Sequence, residues 1–206
     1  MPMPPEYLEL ARLRTKFLAG ANTEIVWPKY KQPECFNYKF REWVSPYTKS
    51  AHAFGGLVFV LQDWASEAGL KGGVDDEIQK YGRKPMLLTN KRFDRLLETV
   101  FGLHVTEVYV TNAFPFIKAG SMSSAIPFKD VVTSVRNFTL AEIKLAQPLF
   151  VFSLGALAFL ALKDCGVSTI RLPHPAARIG GFSKHEAAWR QAIANINVAD
   201  VAIHRA

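Results

Sequence analysis

Four short apolar runs, at residues 57–61, 107–111, 149–154 and 168–172, punctuate the chain, and each gives way to turn or polar residues. Runs of this length, rich in β-branched and aromatic residues, predict strands buried on both faces. Helical spacing fills the intervals: residues 90–101 before Gly102, 129–146 in one or two pieces, 156–164 ending near Gly166, and 184–194 after the fourth run. Thr139-x-x-Glu142 and Ser183-x-x-Glu186 both fit the capping box, in which hydroxyl and acid each satisfy a free backbone donor. Strand and helix in this alternation predict an α/β domain, a three-layer α/β/α sandwich around a central four-stranded parallel sheet. Upstream, Leu8, Ala11, Leu13 and Phe17 give residues 5–19 near-helical spacing with Gly20 as the stop, whereas the aromatic and basic stretch 28–50 has no period. Residues 1–54 are expected to form a helical extension packed on the sheet, within one domain spanning 1–206.

Composition narrows the partners. A chain of 206 residues suits a single core that buries about 70% of the unfolded surface. Its 25 Lys and Arg against 18 Asp and Glu leave a formal charge of +7, which favours a polyanion or a membrane surface without choosing between them. The longest uncharged apolar stretch, "LFVFSLGALAFLAL" at 149–162, is divided by Ser153 and Gly155. It is shorter than the roughly 20 residues a bilayer demands, so no membrane partner is expected. Cys35, Cys165 and the five histidines form no short-spaced ligand pattern, so neither a metal nor a cofactor is expected. "MPMPPEYLEL" lacks the basic-then-apolar order of a leader, and the cytoplasm is the expected compartment.

The residues just past each strand run carry the chemistry. Gln62 and Asp63 come after the first, Asn112 in "TNAFPF" after the second, Ser153 and Gly155 end the third, and "LPHPAARIGG" with His174 comes after the fourth. A parallel sheet puts all four ends on one edge, so a carboxylate, a carboxamide and an imidazole from distant positions can converge there. Singly, each has a plainer role: Asp63 as a cap, Asn112 as a turn residue, His174 as a loop histidine. Together they favour a site.

The same residues carry a resemblance. "LQDWA" at 61–65 resembles the first motif of uracil-DNA glycosylases, usually Gly-Gln-Asp-Pro-Tyr, and "HPAAR" at 174–178 is similar to their second, His-Pro-Ser-Pro-Leu. "VYVTNAFPF" and "FVFSLGALAF" resemble the strand-Asn and strand-Gly-helix units of the thermophile-type branch, and the likeness covers about residues 55–195 in order. It implies the glycosylase fold and hydrolysis of the N-glycosidic bond of uracil in DNA, as part of base-excision repair, at a nucleoid-associated location. No iron-sulfur cluster comes with it, because the four Cys ligands of the iron-sulfur members are missing.

Base release makes an oxocarbenium sugar and a base anion together, so two opposite charges need stabilising. Asp63 suits the cationic side and can orient water beneath the anomeric carbon. His174 suits the anionic side as a neutral donor to uracil O2. Asn112 can accept from N3–H while donating to O4, a pattern cytosine reverses. The resemblance adds Gln62, through its backbone, and Gly155, near a phosphate, to the binding residues.

Departures from the motifs alter the expected specificity. Ala65 stands where the uracil-specific branch has a Tyr guarding C5, so 5-substituted uracils such as 5-hydroxymethyluracil, and other deaminated bases, are expected to be accepted. Trp64 replaces the usual Pro and either stacks on an extruded base or packs beneath the loop; Phe114, Phe116, Phe54 and Met86 are the other stacking candidates. Arg178 aligns with the family's wedge Leu, which favours activity on single strands as well as duplex. Lys91, Arg92, Arg178 and Lys184 are the expected DNA contacts, with Lys71, Lys84, Arg95 and His185 on the same stretches. A homodimer is compatible with the sequence. Two rivals stand beside this reading: a DNA-binding module of the same fold without the chemistry, and a small-molecule hydrolase using Glu67 as a second carboxylate.

Overall fold

The structure, a computed structural model, describes residues 3–18, 27 and 29–194. Its centre is a four-stranded parallel sheet in the order β2-β1-β3-β4. The strands are β1 (Leu57–Ser66), β2 (Tyr109–Lys118), β3 (Phe150–Leu154) and β4 (Ile170–Leu172). The helices are α1 (Pro5–Phe17), α2 (Glu67–Leu70), α3 (Asp76–Tyr81), α4 (Leu88–Leu96), α5 (Phe128–Ser134), α6 (Leu140–Ala146), α7 (Ala156–Asp164) and α8 (Phe182–Ile193).

Alternation along β1 divides the core. Leu57, Phe59 and Leu61 point to one face, against Phe93 and Leu96 of α4 and Trp189 and Ile193 of α8. Val58 and Val60 point to the other, against α1, α5, α6 and α7. The three-layer α/β/α sandwich expected from the sequence is therefore present. Because β1 leads through α4 to β2 on one side, while β3 leads through α7 to β4 on the other, right-handed crossovers put α4 and α7 on opposite faces. The chain reverses its winding between β1 and β3, and that is where a doubly wound sheet opens a crevice.

Both β1 and β2 run longer than the sequence pattern suggests. Gln62 and Asp63 lie inside β1, and Asn112 lies inside β2. Pairing of β1 with β3 stops at Val60↔Ser153, whereas pairing with β2 continues to Ser66↔Lys118 across an irregularity between Asp63 and Ala65. There Pro115 and Phe116 of β2 oppose Trp64 alone, a bulge that admits a proline without losing the ladder. Beyond Val60, β1 therefore has a partner on one side only, and Asp63 stands on that uncovered length.

Neither capping box forms. Thr139 sits in helical conformation, φ −61° and ψ −35°, inside a helical run that joins α5 to α6 through a wide π turn. Its hydroxyl donates to Asn112 O at 3.3 Å, and Glu142 accepts from Thr111 Oγ1 at 2.6 Å, so both reach β2 instead. Ser183 lies within α8, which Gly181 caps, and Glu186 pairs with Arg190.

Among the described residues between α1 and β1, the amino-terminal stretch is mostly irregular. It covers the outer edge of β2: Lys31 and Ile117 exchange backbone hydrogen bonds, and Ala51 and Ala53 bond to Val110 and Val108. That edge is thus covered at both of its ends. Gly20, expected to stop the first helix, lies outside the described residues. No helix among the described residues is long and apolar enough to cross a membrane.

Candidate active site

Asp63 is nearly enclosed, its side chain 9% exposed, and Lys118 Nζ stands 2.8 Å from its Oδ2. A buried carboxylate requires such compensation. The contact is ionic, since Oδ2 has no aligned hydrogen bond, while Lys118 also donates to Met122 O at 2.6 Å. Sequence reasoning missed Lys118; its one signal is a lone cation closing the apolar run that follows Asn112.

His174 leaves β4 and comes within electrostatic range of Asp63. Burial pushes its pKa below the ordinary histidine value, and the neighbouring His185 pushes the same way against the pull of Asp63. The Ala176 N–H donates to its Nδ1 at 3.1 Å. A neutral imidazole that accepts at Nδ1 carries its proton on Nε2, so His174 is a one-directional donor. Gly155 lies against it in the turn from β3 to α7: its φ of +95° is what calls for glycine, since a Cβ there would only touch His174 Cβ at 3.4 Å.

Asn112 pairs in register with Leu61, two residues before Asp63 on the adjacent strand, which separates the Cα atoms of Asn112 and Asp63 by about 8 Å. It is 1% exposed. Ser45 Oγ donates to its Oδ1 at 2.7 Å, and its Nδ2 has no partner. Ser45 belongs to the stretch without period, and nothing in the sequence links it to Asn112.

Other expected residues take varied places. Gln62 is half-buried on the uncovered length of β1. Trp64 packs edge-on against Tyr38 and Phe40 and donates from Nε1 to Gly82 O at 2.8 Å, so of its two readings the indole occupies the packing one. Ala65 is buried in that same cluster with Tyr38, Phe40 and Ile117. Phe114 is a core residue in this structure, fully enclosed and packed on Tyr30 at 4.8 Å, because its ring joins the aromatic cluster of Trp27, Tyr30 and Phe116. Phe116 shares that cluster and Phe54 packs on Tyr109, whereas Met86 is exposed.

Among the basic residues, Arg92 clamps the loop after His174. Its Nη1 donates to Pro175 O at 2.5 Å and lies 3.2 Å from His185 Nε2. Arg92 and Arg178 line a groove of about 430 Å3 with Leu88, Thr89, Pro175 and Gly180. Lys184 lies beside that groove, its stem against Gly180, and exposed Lys91 is on α4 without lining it. No cluster of His, Cys, Asp or Glu fit for a metal occurs among the described residues.

No family model matches this chain, and no curated protein matches it. The chemistry must be argued from the geometry. An acid beside an ammonium, a neutral imidazole with one proton to give and an amide with a free donor can hold a group that develops charge at two points.

Proposed function

We propose that this protein is a DNA glycosylase of the uracil-DNA glycosylase type, which hydrolyses the N-glycosidic bond of uracil and of related deaminated or 5-substituted bases. The observation that carries the reading is that His174, with its Nδ1 accepting from the Ala176 N–H, lies within electrostatic range of Asp63. As the bond between base and C1′ breaks, its electron pair passes to the base. His174 Nε2–H donates to the oxygen where that charge gathers, and Asp63 faces the positive sugar and orients the water that adds to C1′. The added water loses one proton, which Asp63 can accept before solvent takes it. Asn112 then reads the far edge of the base.

DNA, single-stranded or duplex, is the expected partner, with its backbone along the groove of Arg92 and Arg178. A cytoplasmic, nucleoid-associated place goes with that partner. A base must leave the stack to reach Asp63, so unpaired strands have the smaller barrier.

One observation favours a second reading, a DNA-binding module without chemistry. Lys118 at 2.8 Å balances the charge of Asp63, which weakens its attraction for a cationic sugar. Release of free base from oligonucleotides that each carry one modified base separates the two. The glycosylase reading expects release that falls about 10²- to 10⁴-fold in Asp63→Asn; binding without release from any of them establishes the module.

A further inference from the structure

We propose that the groove between α4 and the loop after His174 holds an unpaired nucleobase of the strand beside the target, with Leu88 against the base and Arg178 on its phosphate. The inference rests on DNA being the partner, as the glycosylase reading has it, and adds a site that takes a base where that reading needs only a backbone. Its starting point is a run of apolar side chains left in solvent. Met86, Leu87 and Leu88 are 64%, 54% and 67% exposed, and Ile179, next to Arg178, is 38% exposed. Exposed in this way they add nothing to a core, and a surface that keeps three of them in a row has a use for them.

Leu87 shows that the run is not there for folding. It occupies the N-cap of α4 and offers the helix no side-chain cap, where Ser, Asp or Asn would stabilise it. The backbone beneath the run is nonetheless fixed. Buried Asn90 donates from Nδ2 to Lys84 O at 2.7 Å and accepts from Tyr47 OH at 3.1 Å, and Arg83 forks onto Asp94 at 2.7 and 2.8 Å. Across the groove, Arg92 of α4 holds Pro175 O, and His185 Nε2 lies 3.1 Å from Ala177 O. Both walls are set before a ligand arrives, which lowers the cost of binding one.

Shape and charge identify the occupant. The groove encloses about 430 Å3, within the range of small-ligand sites, about 300–1,000 Å3. Leu88 lines one wall and Pro175 and Ala177 the other, with the exposed Arg178 beside them. A flat ring with apolar faces and one attached negative charge suits such a place, and a nucleotide is that. The far end of the ridge decides the direction of the strand. Met86 and Leu87 border a second hollow that carries Asp75, Asp76 and Glu77 against the one cation Lys84. Phosphates are repelled there and drawn to Arg178 and to Lys184 beside the groove, so one side of the ridge is open to them. Duplex DNA keeps its base faces stacked, and only an unpaired base can lie against Leu88.

The test measures binding by the full chain of three undamaged probes: a labelled single strand, its duplex, and a strand of equal length with a tetrahydrofuran spacer in place of every base. The spacer strand keeps the charge and lacks the bases. The parent should bind the base-bearing strand about five- to tenfold more tightly than the spacer strand, as the burial of roughly 40–60 Å2 of apolar surface predicts. Leu88→Ser should erase that difference and leave duplex binding unchanged, and Leu88→Met, which keeps an apolar side chain, should restore most of it. Arg178→Ala should weaken both strands alike. Equal binding of the two strands by the parent overturns the inference, as does a Leu88→Ser protein that melts like the parent and keeps the difference. Sedimentation that finds a dimer made monomeric by Leu88→Ser, with strand discrimination intact, assigns the ridge to a second copy and also overturns it. Each of these results leaves the glycosylase reading in place where the parent releases uracil. A parent that binds none of the probes and releases no base sinks that reading, and this inference with it.

Discussion

Of the acids buried close to β2, Asp63 and Glu142 are treated in opposite ways. Asp63, at the crevice, is given a cation, Lys118 Nζ at 2.8 Å. Glu142, behind the sheet and wholly enclosed, is given hydroxyls: Thr111 Oγ1 at 2.6 Å and Tyr109 OH at 2.9 Å, with Thr48 Oγ1 at 3.5 Å. Burial outweighs those donors and the more distant Arg14, and pushes the Glu142 pKa up to about 7. Asp63 is supplied with its counter-charge in place. An acid that ties a helix to a strand can do so with a proton on it. Burial alone therefore does not decide how an acid is compensated; the kind of partner it meets is what separates the two.

Removing the cation should break the comparison most severely. Lys118→Met leaves Asp63 as an uncompensated buried charge, which costs about 3–5 kcal/mol when a buried pair is broken. In a chain of this size that lowers the melting temperature by roughly 10 °C. The double variant Asp63→Asn with Lys118→Met removes both charges and should recover much of the loss. Thermal melts of the two proteins measure it, and equal melting temperatures would show that Lys118 is not there for Asp63.

Glu142 should show itself through pH. Its folded pKa of about 7 lies above the ordinary value of 4.5, so between those two values the unfolded chain has shed a proton that the folded chain keeps. Fewer protons on the unfolded side make stability fall as pH rises through that window, by on the order of 3 kcal/mol, and level off above it. Stability is fullest below pH 4.5 as far as this group is concerned. Glu142→Gln should lose that slope, whatever its absolute stability. Urea unfolding of both proteins between pH 4.5 and 8 gives the two slopes, and parallel curves would mean that Glu142 stays ionised.

The two acids also differ in how far the sequence announces them. Asp63 stands at the end of an apolar run, where chain-length and polarity arguments reach it directly. The strand itself extends further, because the bulge opposite Trp64 accommodates Pro115, and a local pattern cannot register a pairing made with a strand some fifty residues on. Glu142 reads as half of a capping box, since Thr139-x-x-Glu142 has the right spacing, yet both side chains turn to β2. Local spacing loses to a long-range partner there. The sheet, its layers and the helices of the second half are legible because burial on both faces writes itself as period and run. Lys118 and Ser45 are not, because each acts through one contact whose other end is distant in the chain. Phe114 shows the same limit from the other side, since its strand position suggests the crevice and its ring belongs to the core.

The smallest expected effect lies in the groove, where two arginines of the same charge have different duties. Arg92 is committed to protein, holding Pro175 O at 2.5 Å beside His185, whereas Arg178 is exposed at the groove wall. If the groove follows a phosphate chain, Arg178→Ala removes about one counterion-releasing contact, and the slope of log affinity against log salt should become shallower by about one. Arg92→Ala should act instead through the loop of His174, weakening base release more than it alters the salt slope. Fluorescence anisotropy with a labelled single strand across a salt series reads the first, and base release under saturating DNA reads the second. A salt slope that Arg178→Ala leaves unchanged would move the path of the DNA away from this groove, while the acid and imidazole at the crevice would keep their roles.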